Sequence, residues 1–165
     1  MKIKEVKIKL LKETFRVDFK PYGQIIGLEE EPPLEDFPHL RYWTKNVDLG
    51  TNNEKIDVGL LACQRTDSKV TKMERHKLTS ESFIPLTGET IFVMAPADNS
   101  KEMPDVTKVR AFLLDGTLGV ALNKGTWHWP PIPLRKIARF VLLRKGELSD
   151  PTDMENLGVE LKLVT

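Results

Sequence analysis

Glu74-Arg-His-Lys-Leu-Thr-Ser-Glu-Ser-Phe-Ile-Pro-Leu-Thr-Gly88 is the stretch on which the reading of this chain turns, and it has the form E-x-H-x4-E-x6-G. On a strand, side chains alternate between faces, so Glu74 and His76 share one face. Glu81 follows after a short turn. An apolar run (Phe83, Ile84, Leu86) comes next, and Gly88 closes it where a tight turn is needed. Three groups able to bind a metal or handle a proton therefore lie close together in sequence. A second stretch, Asn123-Lys-Gly-Thr-Trp-His128, supplies a fourth.

If Glu74, His76, Glu81 and His128 converge, two imidazoles and two carboxylates would suit a divalent first-row metal such as Mn, Ni, Fe or Zn. Open coordination positions would then take water or substrate. The alternative is that Glu74, Arg75 and Glu81 are surface ion-pair residues and His76 a satisfied polar group. Alternation points Trp127 and Trp129 away from His128, as packing residues, and points Arg75 away from the metal face into an ion pair outside the barrel. Arg110 shares a strand face with Phe112 and could anchor a substrate carboxylate, which guanidinium binds with two hydrogen bonds. Lys124, beside the second motif, could bind an anionic substrate at the rim. Tyr22 reads as a core aromatic or as a donor into the pocket.

The chain has 165 residues, which suits one domain over residues 1–165. Its net charge of +1 gives no broad basic field for nucleic acid or an anionic membrane. Cys63 is the only cysteine, so no internal disulfide forms and a reducing, cytoplasmic setting is expected; the thiol reads as a small buried apolar group. Met1–Lys7 lacks the apolar core of a signal peptide, and no apolar run approaches a membrane span.

Val6, Ile8 and Leu10 alternate with lysines as a half-buried strand, a candidate sheet edge. Residues 15–24 suggest a short helix or turn, and Ile25-Ile26 the start of a strand. The acidic segment 29–40 holds Pro32, Pro33 and Pro38 and reads as an exposed connector or a lid. Residues 41–48 and 56–63 suggest a hairpin about the turn at 50–53. A strand at 70–76 carries the first ligands. Residues 83–86 with 90–95, and 109–114 with 118–122, read as hairpins about Thr87-Gly88 and Asp115-Gly116. Lys124-Gly125 turns the chain before Trp127-His128-Trp129, Pro130, Pro131 and Pro133 predict a stiff loop, and strands follow at 137–143 and 159–164. About ten strands at regular spacing predict an all-β barrel or sandwich.

The two motifs resemble the paired signature of the cupin superfamily, with Glu74 where the first histidine usually stands and Asn123 in place of a proline. Met73-Glu-Arg-His76, Ser82-Phe-Ile-Pro-Leu-Thr-Gly-Glu89, Arg110-Ala-Phe112, Gly119-Val120, Trp127-His128 and Pro21-Tyr-Gly23 together resemble the ureidoglycolate lyase family. That resemblance implies a double-stranded β-helix, or jelly-roll barrel, and release of urea and glyoxylate from ureidoglycolate in allantoin degradation. It implies a divalent metal on Glu74, His76, Glu81 and His128, and catalytic work by Glu74, Glu81 and His128. Substrate contacts would come from Arg110, Lys124, Asn123 and Tyr22. A homodimer and a small-molecule substrate are the partners it implies. Departures stand at Asn123 and Trp129, where the family carries histidines, and at Glu81, where it often carries glutamine. A small-molecule-binding cupin without turnover, or with another specificity, is the alternative.

Overall fold

The computed structural model describes residues 1–29, 32–43, 47–50, 53–66, 69–147 and 149–165. Strand β1 (Lys2–Leu10) opens the chain, followed by one helical turn, α1 (Arg16–Phe19), and by β2 (Gly23–Ile26). Two short strands, β3 (Glu35–Phe37) and β4 (Leu40–Tyr42), pair only with each other among the described residues. Then come β5 (Lys55–Gln64), β6 (Val70–Arg75), β7 (Thr79–Thr87), β8 (Thr90–Ala95) and β9 (Arg110–Leu114). The chain ends with β10 (Gly119–Leu122), β11 (Trp127–Pro133), β12 (Ile137–Gly146) and β13 (Asp153–Val164).

Two sheets carry the architecture. The first runs β1-β13-β6-β11-β8-β9 and closes on itself, because β1 pairs β13 along Lys2–Lys7 and then β9 along Ile8–Leu10. The second runs β2-β10-β7-β12-β5 and packs against the outer side of the first. Strand β8 shows how one sheet serves two cores. All six of its residues are buried. Ile91, Val93 and Ala95 join Val6, Val70, Met73, Trp127 and Leu161 inside the closed barrel. Phe92 and Met94, on the opposite face, join Phe83, Phe112, Val120 and Phe140 between the two sheets. There Phe83, Phe92 and Phe140 meet edge to face at centroid distances of 5.1–6.1 Å, the arrangement that ring quadrupoles favour. The result is an all-β architecture built around a closed barrel, the fold class that the spacing of the strands predicts.

Several local expectations change. Residues 83–86 and 90–95 do not pair: β7 lies in the five-stranded sheet and β8 in the closed one, so Gly88, at φ +88°, turns a corner between sheets. The same holds for β9 and β10 about Gly116. Among the described residues, strand β5 pairs β12 and not residues 41–43 or 47–48. Among the described residues of that expected strand, Arg41-Tyr42 is extended as the end of β4, which pairs with Glu35–Phe37 inside the segment read as an exposed connector or a lid. Residues 30–31, 44–46 and 51–52 of these expectations lie outside the described residues. Ile25-Ile26 ends β2 rather than starting a strand. Pro130, Pro131 and Pro133 belong to β11, where a register shift between Trp129 and Ile132 absorbs them, as bulges do for residues that cannot donate to a ladder. Strand β1, the candidate edge, pairs β13 along Lys2–Lys7 and β9 along Ile8–Leu10, so each stretch of it is paired on one side.

Candidate functional site

The two motifs meet across one pair of strands. Glu74 of β6 stands directly opposite His128 of β11. On that face the row continues to Met94 of β8, so both side chains point toward the space between the sheets. His76 follows the end of β6, and its carbonyl accepts from the Gly125 amide at 2.7 Å. Gly125 adopts φ +78°, a conformation that glycine takes without cost. The Lys124-Gly125 turn therefore docks the second motif onto the first. Thr126 Oγ1 and the Asn123 amide both donate to the Tyr22 carbonyl, which ties this turn to the start of β2.

One ligand atom from each of Glu74, His76 and His128 lies within 4.8 Å of the others. Glu81 of β7 faces them from the second sheet, with Oε2 3.3 Å from His128 Nε2 and Oε1 3.7 Å from His76 Nε2. The two imidazoles lie 5.8 Å apart. Phe83 closes the floor, its ring 6.3 Å from that of His128. Thr79, Leu122, Asn123 and Thr126 complete a narrow pocket around His76, Glu81 and His128.

His128 Nδ1 lies 3.1 Å from the Thr126 carbonyl, which can only accept, so Nδ1 carries the proton and Nε2 is left toward the cluster. Burial lowers the His128 pKa, but its hydrogen bond to Glu81, the charges of Glu81 and Glu74 and the Thr126 carbonyl outweigh that and raise it. Burial raises the Glu81 pKa, yet the bond and charge of His128, with the charges of His76 and Arg144, hold it below the ordinary value. His76 Nδ1 is buried without a hydrogen-bond partner among the described residues. Two imidazoles and a carboxylate at this spacing, one imidazole held by a carbonyl in the tautomer a metal needs, fit a metal ion.

The remaining sequence candidates lie elsewhere. Arg110 and Tyr22 line a separate cleft with Lys9, Glu13, Asp18 and Phe112. The Arg110 guanidinium donates to the carbonyls of Thr107 and Val109, and the Tyr22 hydroxyl to that of Lys108. Lys124 pairs with Glu54. Asn123 borders the narrow pocket while its Nδ2 donates to the Lys20 carbonyl at 3.2 Å. Arg75 points away from the cluster as expected, but it is buried at the end of the closed barrel rather than outside it. Arg144, whose Nε lies 4.0 Å from Glu81 Oε1, was not among the candidates. Its signal was present: it continues the inward phase of Phe140 and Leu142 along β12, where a charge is unusual.

No helix among the described residues is long and apolar enough to cross a membrane. Among solved structures the chain is similar to RmlC from Streptococcus suis, with TM-score 0.44 and 7% identity over 58% of this chain and 46% of that one. It is also similar to Bacillus subtilis oxalate decarboxylase, with TM-score 0.39 and 11% identity over 66% and 29%. A ureidoglycolate lyase from Burkholderia mallei is 32% identical over 154 residues, covering 90% of this chain and 88% of the relative. One from Escherichia coli O1:K1 is 27% identical over 147 residues, 84% and 88% of the two chains. The family model described as ureidoglycolate lyase matches residues 4–164, and this chain belongs to that family.

Proposed function

We propose that the chain is a carbon–nitrogen lyase that splits ureidoglycolate into glyoxylate and urea, with a divalent metal (Mn, Ni, Fe or Zn) held by Glu74, His76 and His128 beside Glu81. The observation that carries this reading is the convergence of those four side chains from two distant motifs. The relatives' name supports the substrate. The setting that a lone buried Cys63 suits is the cytoplasm.

A divalent metal held by Glu74, His76 and His128 would supply Lewis acidity that favours loss of the substrate's hydroxyl proton. Glu81, whose carboxylate faces the cluster 3.3 Å from His128 Nε2, accepts the hydroxyl proton. As the C–O bond becomes a carbonyl, the C–N bond breaks and its electron pair passes to nitrogen. The Glu81 carboxyl then returns the proton to that nitrogen, and urea leaves. Thr126 holds the His128 ring in place through Nδ1. Arg144, whose Nε lies 4.0 Å from Glu81 Oε1, is placed to balance the substrate carboxylate.

Glyoxylate release from racemic ureidoglycolate, with chelated protein and with Mn, Ni or Zn restored, tests the reading. Metal-dependent turnover that His128→Ala abolishes together with metal uptake is the expected result. A fully active His128→Ala protein would overturn the site. One observation favours a second reading, a small-molecule-binding member without turnover. Asn123 at the pocket margin has no titratable proton, where the family carries a histidine able to shuttle one near neutral pH. Absence of turnover with every metal would leave that reading. The homodimer implied by the resemblance would use β5, whose outward Ile56, Val58 and Leu60 are exposed. A monomeric mass by light scattering would reject it.

A further inference from the structure

The backbone ties the two ligand-bearing strands together weakly at the site. The β6–β11 ladder contains a single registered pair, Glu74 with His128, whereas β12 and β5 share ten, Ile137–Gly146 against Lys55–Gln64. One step along each strand, on the reverse face, stand Arg75 and Trp127. The Arg75 guanidinium lies 4.4 Å from the centroid of the Trp127 ring, within reach of a cation–π contact that burial strengthens. Both residues are almost wholly buried, at 1% and 0% exposure. The Trp127 indole N–H has no acceptor among the described residues, so packing and the cation hold the ring rather than a hydrogen bond.

Arg75 is held from three further directions. Its Nε donates to Asp153 at 3.1 Å, one NH2 group to Glu102 at 2.7 Å, and the other to the Lys101 carbonyl at 3.0 Å. Lys77 reaches the same two carboxylates at 2.9 and 3.0 Å. Alternation over residues 74–77 thus sends Glu74 and His76 to the cluster and Arg75 and Lys77 to a clamp behind it.

We propose that Arg75 is a positioning residue: stacked on Trp127 and fixed by Asp153, Glu102 and the Lys101 carbonyl, it sets the register of Glu74 and His76 against His128. The inference rests on the reading of that cluster as a metal site. A guanidinium fork reaches three acceptors and a ring face at once, which an ammonium does not. Removing a group that orients metal ligands weakens affinity by roughly 10–100-fold.

The test compares wild-type protein with Arg75→Met, Arg75→Lys and a packing control, Leu161→Ala, taken from the same barrel interior. Asp153 and Glu102 keep Lys77 in the Met variant, so its effect is not that of two abandoned carboxylates. Zn2+ affinity is measured by chelator competition, and amide exchange is followed at residues 74–76 and 127–128. Expected are a roughly 10–100-fold loss of Zn2+ affinity in Arg75→Met and a smaller loss in Arg75→Lys. Faster exchange at those amides should accompany it. Leu161→Ala should lower thermal stability with affinity within about twofold. Arg75→Met binding Zn2+ as wild type does, or Leu161→Ala losing as much affinity, would overturn the inference. If wild-type protein binds no metal, the metal reading fails by itself. The exchange data then decide: unchanged exchange at those amides in Arg75→Met rejects the positioning role, and faster exchange supports it.

Discussion

Glu81 carries the proton transfer in the proposed reaction while three other residues hold the metal, so the two tasks separate by mutation. Glu81→Gln keeps the shape and hydrogen bonding but removes the base. It should cost roughly 10²–10⁴-fold in kcat, with metal affinity changed far less. An unchanged kcat in the glyoxylate assay would assign the base elsewhere. Asp115 gives a second prediction, in stability rather than activity. Its carboxylate accepts from the Thr117 hydroxyl and amide at 2.6 and 3.1 Å and pairs with Lys12 at 2.9 Å. The Thr117 hydroxyl, then Lys12, bring its pKa down from 3.8 to about 2. A lowered folded pKa stabilises the ionised form, so the contribution is present above the unfolded value of 3.8 and is lost as pH falls through about 2. Solvent screening limits it to about 1 kcal/mol. Asp115→Asn should lower the denaturation midpoint near neutral pH and leave little difference near pH 2; an equal difference at both would refute it. The meeting of Glu74, His76, Glu81 and His128 was legible because the period of a strand and the spacing of two motifs are local properties. Arg144 was not singled out because its importance comes from standing beside Glu81 across β7 and β12, a neighbour on another strand.

Gly88 governs the corner at which the chain leaves one sheet for the other. Its φ is +88°, and a Cβ there would meet the Ala138 Cβ at 2.9 Å and the Ile137 carbonyl at 3.0 Å. Gly88→Ala should therefore destabilise by about 1–3 kcal/mol. Urea denaturation would show it as a lower midpoint with the slope retained, and an unshifted midpoint would refute it. The turn itself was readable from Thr87-Gly88, but its destination was not. A glycine turn states that the chain reverses, while pairing depends on which faces must be buried. The clue lay in β8: a strand of a simple hairpin alternates apolar and polar residues, whereas Ile91-Phe-Val-Met-Ala95 is apolar on both faces. Such a strand belongs between two cores, and its neighbours come from other parts of the chain. Likewise β13 begins at Asp153, well before the apolar run at 159–164, because Asp153 pairs with Arg75 rather than with a core.

The two cores share their wall. Strands β6, β8, β9 and β11 send alternate side chains into the closed barrel and into the space between the sheets, so neither core keeps its shape if the other is lost. The candidate site sits on this shared wall, with Glu74 and His128 on one side and Arg75 and Trp127 on the other. The physical consequence is one cooperative unit. Phe92→Ala removes a ring from the inter-sheet core and Met73→Ala a side chain from the barrel, both at fully buried positions. Large-to-small changes of these kinds cost roughly 2–5 kcal/mol, about 5–15 °C in Tm for a chain of this size. Both should move the same single transition, with tryptophan fluorescence and far-ultraviolet circular dichroism coinciding throughout. Trp127 lies inside the barrel and reports on it, while the dichroism averages over both sheets. If Phe92→Ala lowered only the dichroism midpoint and left the fluorescence transition in place, the barrel would be an independent folding unit and the site would stand on a boundary between two. Coincident shifts would instead mean that the Glu74, His76 and His128 cluster is held by the stability of the whole chain, so that damage in either core reaches it.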